Sequence, residues 1–526
     1  MQYIYFFFFI IIMNKKKSKT KTKTNTTQKP KAKSKAIQKP KAKPKAKPKA
    51  KSKAIQKPKA KAKAKPKPKT TQKPKATPKA KPKPKATPKA KPKPKATPKA
   101  KPKAKPKANP KQRLSNDIDY FDNNGTTMIC NGAKKNIIEW MGKCINPSLD
   151  NKHNKEAVDM IYNTKKYILK HCNCVDNNYK VIFTSGASES NSMLFRSVVD
   201  SYSKITKHIP HIITSSIEHS SIIKCCDYLS ENNKIELTYI TPDKYGIINP
   251  LDVEKSIKDN TALVSIMHAN NEIGSINDIK SIGSICKNKS IPFHSDMVQT
   301  FGKYKIDIPS HNVDCFSMSF HKLYGPMGLG LMVISCNLMN GYELKSQIFG
   351  TQQYKLRGGT ENVPAISSVI PCIANCFLKR GLKNKELYNK KKYIINGLSK
   401  TFDYIKYDDI TTKTHIDTYK NIGFTIIGPE CVSRYSLPNT LLLSFISTKL
   451  ICNLKIKKYL SDNNIIISIG SACSDVDKKP SHVLSSIRLN PLIQKSVIRI
   501  SMSDYTTKKS INNLIKILIE SIHKQM

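Results

Sequence analysis

Residues 1–113 contain no aspartate and no glutamate, yet they carry 41 lysines and one arginine. They hold +42 of the chain's formal charge of +57, which leaves 57 − 42 = +15 for the other residues. That remainder is ordinary for a soluble enzyme, so the strong basicity describes the front of the chain rather than its body. Residues 14–113 also lack any aromatic side chain, which excludes base stacking as a way of holding nucleic acid. No Cys-x-x-Cys pair occurs among the 14 cysteines, and this argues against a structural zinc site. Their irregular spacing is not that of a secreted disulfide framework. Reduced thiols in a cytosol-like compartment are expected. The apolar run Tyr3–Met13 has 11 residues, too few to span a bilayer. It has no basic stretch before it and no clear cleavage site behind it, so it makes a poor signal peptide. A short membrane-touching anchor and an upstream start codon unused in the cell both stay open. The expected location is the cytoplasm, with a mitochondrial one not excluded.

Between residues 14 and 113, Lys, Pro and Ala alternate, and Lys81–Ala90 recurs unchanged as Lys91–Ala100. Proline removes helix hydrogen bonds, like charges push the chain open, and almost nothing apolar is available to bury. A disordered, extended, polyproline-like arm is expected. It suits nonspecific contact with nucleic acid or another anionic surface; repeat expansion with no partner is the alternative.

From about Asp117 the composition turns globular. Apolar runs at 181–183, 211–214, 262–267, 291–294, 315–319 and 329–334 read as strands, and 189–200 and 276–287 as helices. Strand–helix alternation predicts an α/β fold with a mainly parallel sheet covered on both faces, its ligand at the carboxyl ends of the strands. Polar motifs follow those strands. Thr184–Asn191 is a small-residue loop opening a helix near Ser188, suited to a phosphate or to ordinary N-capping. His219 follows Glu218, and reads alone as a hydrogen-bonded structural residue. His268–Gly274 sets four polar residues before a glycine turn, and Asp296 precedes Gln299 by three, where Asp296 also reads as a helix cap. Lys322 lies between two apolar strands with glycines beyond it; a buried lysine becomes a nucleophilic amine. No Gly-Lys-Ser/Thr ends this segment, so it is not a nucleotide P-loop.

Together with Tyr120–Thr127, Arg357–Asn362, Ile469–Asp475 and Val497–Ser501, these segments resemble, in order and over nearly all of 117–526, the NifS-like cysteine desulfurases of the class V aminotransferase superfamily. The resemblance implies a type I fold binding pyridoxal 5′-phosphate. It has a large domain with a mainly parallel seven-stranded sheet, here 114–375, and a smaller C-terminal α/β domain, here 376–526. It implies that Lys322 bonds to the cofactor and shuttles protons, Asp296 pairs with the ring nitrogen, and His219 stacks on the ring. Gln299 and Asn271 serve the phenolic oxygen side. Ala187, Ser188, Ser319 and His321 hold the phosphate. Thr360 from a partner subunit completes that cradle, which implies a homodimer. Cys473 is the implied nucleophile, taking sulfur from L-cysteine as a persulfide and releasing alanine; a buried free cysteine is the plain alternative. Pro480 lies seven positions after Cys473, a step that resembles the family's longer-loop group. Arg499 is the implied carboxylate-binding residue, with a salt bridge as its alternative. The sulfur acceptor is expected to be an iron–sulfur scaffold or a tRNA-thiolation protein.

The chain departs from the family where Phe320, Phe349, Thr351 and Lys355 replace common glycines and where Ser503-Asp504 replaces Gly-Arg. The polar stretch of about 400–423 reads as a surface insertion. Selenocysteine lyase is the enzymatic rival, and a nucleic-acid-binding protein with a degenerate body is the rival of another kind. Full-length protein titrated with unrelated DNA duplexes is expected to bind all alike at low salt and to release all as salt rises. Removal of residues 1–113 is expected to abolish that binding, and retention after truncation would refute an electrostatic arm.

Overall fold

The computed structural model describes residues 118–410, 421–431, 433–470 and 481–526. The expectations for the basic arm and for Cys473 lie outside the described residues. The described chain opens with β1 (Asp119–Tyr120) and the helices Asn131–Met141 and Lys155–His171. Seven strands follow: β2 (Tyr179–Thr184), β3 (His211–Ser215), β4 (Glu236–Ile240), β5 (Thr261–Ser265), β6 (Phe293–Asp296), β7 (Cys315–Ser319) and β8 (Gly330–Ser335). They form one sheet in the order β2-β8-β7-β6-β5-β3-β4. β3 through β7 pair in parallel, while β8 runs antiparallel to both β7 and β2.

The connections explain these directions. Helices carry the chain back between the parallel strands: Ser220–Glu231 before β4, Pro250–Lys255 before β5 and Ile279–Asn288 before β6. Only residues 320–329 join β7 to β8, fewer than a parallel crossover needs, so β8 must turn back. The central strands β5 and β7 are buried at every position. A strand covered on both faces needs an unbroken run of apolar or small residues. Alternate side chains then feed two cores. Val181, Phe183, Val264 and Phe316 pack on one face. Ile182, Leu263, Cys315 and Met332 pack on the other, against Leu194 and Phe195 of the helix Ala187–Thr206.

A second sheet is built by β9 (Asp403–Tyr404), β10 (Gly423–Ile426) and β11 (Thr440–Ile446). After β12 (Ile465–Ile466) it is closed by β13 (Ile498–Ser501), giving the order β13-β11-β10-β9. Its core joins Phe424, Leu441, Leu443, Ile498 and Ile500 to Ile511, Leu514 and Leu518, one apolar stripe of the helix Lys508–His523. The start of the described chain enters this core: β1 pairs in parallel with β12, and Phe121 is fully buried there.

The fold is the expected one, with corrections of detail. The edge strand β4 was not anticipated, because it has one fully buried residue and its polar positions hide the pattern. The stretch 400–423 is not wholly a surface insertion: Phe402 and Ile405 are buried and Asp403–Tyr404 pairs with β10. Its acidic and polar residues mask a short edge strand; 411–420 lie outside the described residues. The helix read from residue 276 begins at Ile279, since Asp278 caps it by accepting from the Ser281 amide. The ring of Phe316 in the central strand stacks on Phe301 at 6.0 Å. Phe316→Ala is expected to cost about 3–5 kcal/mol, read as a lower denaturant midpoint at unchanged slope.

Candidate active site

β7 ends at Ser319, and Phe320–Lys322 form one 3₁₀ turn. Phe320, standing where a glycine is common, is fully buried in the sheet core and anchors that turn. Lys322 Nζ donates to the backbone carbonyls of Asn124 (2.5 Å) and Gly125. The N-terminal segment is fastened beside it. The amide and the hydroxyl of Thr127 both donate to the His321 carbonyl at 2.8 Å, and Thr127 Oγ1 accepts from the Tyr324 amide at 2.7 Å.

Asp296 is the last residue of β6 and is 5% exposed. One of its carboxylate oxygens accepts from the Val298 amide (3.0 Å), closing a turn rather than capping a helix, since among the described residues no helix follows β6 before β7. The other accepts from Asn191 Nδ2 (3.3 Å). Asn191 also donates to Ser221 Oγ at 3.1 Å, and its own Oδ1 is buried without a hydrogen-bond partner among the described residues. His219 caps the helix Ser220–Glu231, its Nδ1 accepting from the Ser221 amide at 3.2 Å. Burial is the main cause that holds its imidazole below the ordinary range; Asp296 opposes this, and Lys322 and His482 reinforce it. These neighbours bring together groups far apart along the chain. Burial, then Lys322 and His219, push His321 down to about 4. Gln299 Nε2 donates to the Asn124 carbonyl at 3.4 Å, and its Oε1 accepts from Lys303 Nζ at 3.3 Å.

At the other side of β7, Ser319 Oγ accepts from the Ala187 amide (2.8 Å) at the start of the helix Ala187–Thr206, with Ser188 exposed beside it. A Cβ at Gly330 would fall 2.4 Å from Gly186 Cα, so this backbone approach requires glycine. Thr360 is exposed, on a loop that Arg357 ties to Glu189 of the same helix through a 2.9 Å ion pair. Three consecutive residues of that loop, Gln353, Tyr354 and Lys355, have positive φ. They stand near the missing family glycines, and the Gln353 amide bonds both backbone groups of Phe183 on the edge strand.

Arg499, on β13, is 2% exposed. Its Nη2 donates to Asp122 (2.7 Å) and its Nη1 to the Asn271 carbonyl (3.0 Å), while Nε is buried without a partner among the described residues. Asn124 joins the two halves: its Nδ2 donates to the Asn271 carbonyl (3.0 Å) and to Thr440 Oγ1 (2.8 Å). Lys322, Asn124, Asn271 and Arg499 thus form one bonded chain. Asp122, Asn124, Asn191 and Glu218 were given no role from sequence. The only signal was their place inside the quoted motifs. Glu218 is fully buried: one oxygen accepts from Ser215 Oγ (2.5 Å) and the Met267 amide (2.8 Å). Burial pushes its carboxyl up to about 8, with Asp296 adding to the effect.

An amine and a buried carboxylate at the carboxyl ends of a mainly parallel sheet, beside a helix start, are what the resemblance to type I pyridoxal-phosphate enzymes implies. The comparisons agree. The family described as Aminotransferase class-V matches residues 119–514. Over 408 residues the chain is 33% identical to a Plasmodium falciparum protein named Cysteine desulfurase IscS, covering 77% of this chain and 68% of that one. It is also 33% identical over 380 residues to the protein of that name from Dictyoglomus turgidum, covering 72% and 88%. A solved NifS-like protein superposes with a TM-score of 0.65 at 27% identity, covering 77% of this chain and all of that one. A structure of SspA in complex with cysteine gives 0.58 at 29%, covering 74% and 99%. The chain belongs to the class V aminotransferase family, whose members are enzymes dependent on pyridoxal phosphate.

The buried histidines give a pH signature. Burial holds His268 and His294 at about 3, and His211 and His321 at about 4, against an ordinary value near 6.5. Between those values the unfolded chain binds protons that the folded chain refuses, so their contribution is complete above about 6.5 and is lost as pH falls toward about 4 for His211 and His321 and about 3 for His268 and His294. Glu218 has the opposite sign: the folded state keeps a proton up to about 8, so its contribution declines as pH rises from the ordinary carboxyl value of 4.5. Stability measured by denaturant titration is expected to climb from pH 4 to 6.5. Glu218→Gln is expected to remove the decline from 6.5 to 8, and an unaltered alkaline limb in that variant would contradict the assignment.

Proposed function

We propose that this chain converts L-cysteine to L-alanine and takes the sulfur onto Cys473 as a persulfide. The observation that carries the proposal is the convergence of Lys322, Asp296, His219 and His321 at the strand ends, bonded through Asn124 and Asn271 to Arg499.

These residues fit pyridoxal 5′-phosphate. Asp296 suits a protonated ring nitrogen, His219 a ring face, and Gln299 and Asn271 the phenolic oxygen side. The Ala187 amide, Ser188, Ser319 and His321 suit the phosphate, beside Gly330, where a side chain would strike the backbone of Gly186. When bound, the group supplies a sink for the electron pair left on the substrate's α-carbon. Lys322 holds the group and moves the α-proton on its Nζ. The Arg499 guanidinium, with Nε buried and unpartnered among the described residues, orients the substrate carboxylate. His219, kept neutral by burial, stacks without adding charge. The Cys473 sulfur bonds to the substrate sulfur as the substrate's Cβ–S bond breaks. Thiol and cysteine become persulfide and alanine, with no further reactant.

The chain acts through a larger domain, 114–375, and a smaller one, 376–526. It works as a homodimer in which the partner subunit's Thr360 completes the phosphate cradle; support comes from the exposure of that loop, where Phe349 is 87% exposed. The persulfide passes to an iron–sulfur scaffold or a tRNA-thiolation protein, and the basic arm holds the enzyme near an anionic surface. The described cysteines are free thiols, which supports a reducing, cytoplasmic setting. Among the described residues no helix is long and apolar enough to cross a membrane.

Protein incubated with the cofactor and L-cysteine is expected to release alanine and to gain one sulfur on Cys473 by mass spectrometry. Cys473→Ser is expected to keep the yellow colour and lose both products; Lys322→Ala is expected to lose the colour. Alanine and persulfide that survive Cys473→Ser would move the nucleophile elsewhere.

A further inference from the structure

The segment carrying Cys473 leaves the described residues at Gly470 and rejoins them at Ser481. One buried side chain bonds one end and lies close to the other. Glu272, 1% exposed, accepts from Ser481 Oγ at 2.7 Å. A Cβ built on Gly470 would stand 3.4 Å from the same Glu272 oxygen. Each end is also fastened to a different part of the site. The Gly470 carbonyl accepts from Ser468 Oγ (2.9 Å), and Ser468 exchanges two backbone hydrogen bonds with Arg499, at 3.1 and 2.7 Å. Ser481 caps the helix His482–Ser486, and the His482 ring bonds the carbonyl of Glu218, next to His219, at 2.9 Å.

Glu272 is held in a built turn. Asn270 Oδ1 accepts from the amides of Glu272 (2.8 Å) and Ile273 (2.9 Å), while Asn270 Nδ2 donates to the Ile217 carbonyl (2.9 Å). The turn puts Glu272 directly after Asn271, whose carbonyl receives Arg499. A carboxyl group is costly to bury without partners, and none of the roles given to Lys322, Asp296, His219 or Arg499 needs this one.

We propose that Glu272 is a positioning residue for sulfur transfer: its bond to Ser481, close beside Gly470, anchors the Cys473 segment to the turn that also braces Arg499, and so sets where the thiol is delivered. This rests on the reading of Cys473 as the nucleophile. Delivery of a nucleophile depends on its position, and a misplacement of about 1 Å can cost about 10²-fold in rate.

The test uses full-length holoenzyme in single turnover with saturating L-cysteine. Glu272→Ala is expected to slow persulfide formation by about 10- to 100-fold, with cofactor absorbance and the KM for cysteine retained. Glu272→Gln keeps an acceptor oxygen for Ser481 and is expected to restore most of the rate. A wild-type rate in Glu272→Ala overturns the proposal. So does a loss confined to KM, a loss of cofactor colour, or a Gln variant as slow as the Ala variant. Should Glu272→Ala fail to fold, Ser481→Ala removes the same bond from the other end: slowed transfer with colour kept supports the role, and an unchanged rate overturns it. No persulfide in the parent protein defeats the Cys473 reading itself, and this inference with it.

Discussion

A guanidinium that is 2% exposed must meet acceptors before the chain closes over it, since a buried charge left alone costs several kcal/mol. Arg499 meets Asp122 and the Asn271 carbonyl, which lie 377 and 228 residues away in sequence. That requirement draws three distant pieces of chain to one point: the N-terminal segment, the turn beyond β5 and the strand β13 of the second sheet. Asn124 then completes the junction by bonding Asn271, Thr440 and, through its backbone, Lys322. The two sheets share a site because one buried cation needs partners from both sides.

The amine at the centre of that site is placed by a shortage of chain. Residues 320–329 cannot make a crossover, so β8 folds back and the turn stays at the carboxyl end of β7. There burial acts on the neighbouring side chains. His219 and His321 are driven toward the neutral form by burial first and by Lys322 second. Glu218, beneath them, is driven toward its protonated form by the same burial. The polar shell is therefore mostly uncharged around a small number of kept charges, the arrangement in which each remaining charge acts most strongly.

Much of this was readable from local pattern. The buried strands β5 and β7 are runs of apolar and small residues, the pattern a strand covered on both faces favours. The motifs at the strand ends could be found because polar residues after such a run need partners. β4 and β9 escaped because edge strands face solvent, and their polar residues look like loop. Gln353 escaped for another reason: its amide imitates a neighbouring strand at Phe183, and no periodicity announces such a substitution.

The sequence by itself determined the alternation of strand and helix, the mainly parallel direction of the sheet and the basic composition of residues 1–113. Those follow from side-chain type and spacing, which act over a few residues. Only the tertiary structure decided that Asp122 pairs with Arg499, that Asn191 bonds Asp296, and that Glu272 bonds Ser481 close beside Gly470. Such pairings are chosen by what burial leaves within about 3 Å once the two sheets are packed, and nothing in a linear spacing measures that distance.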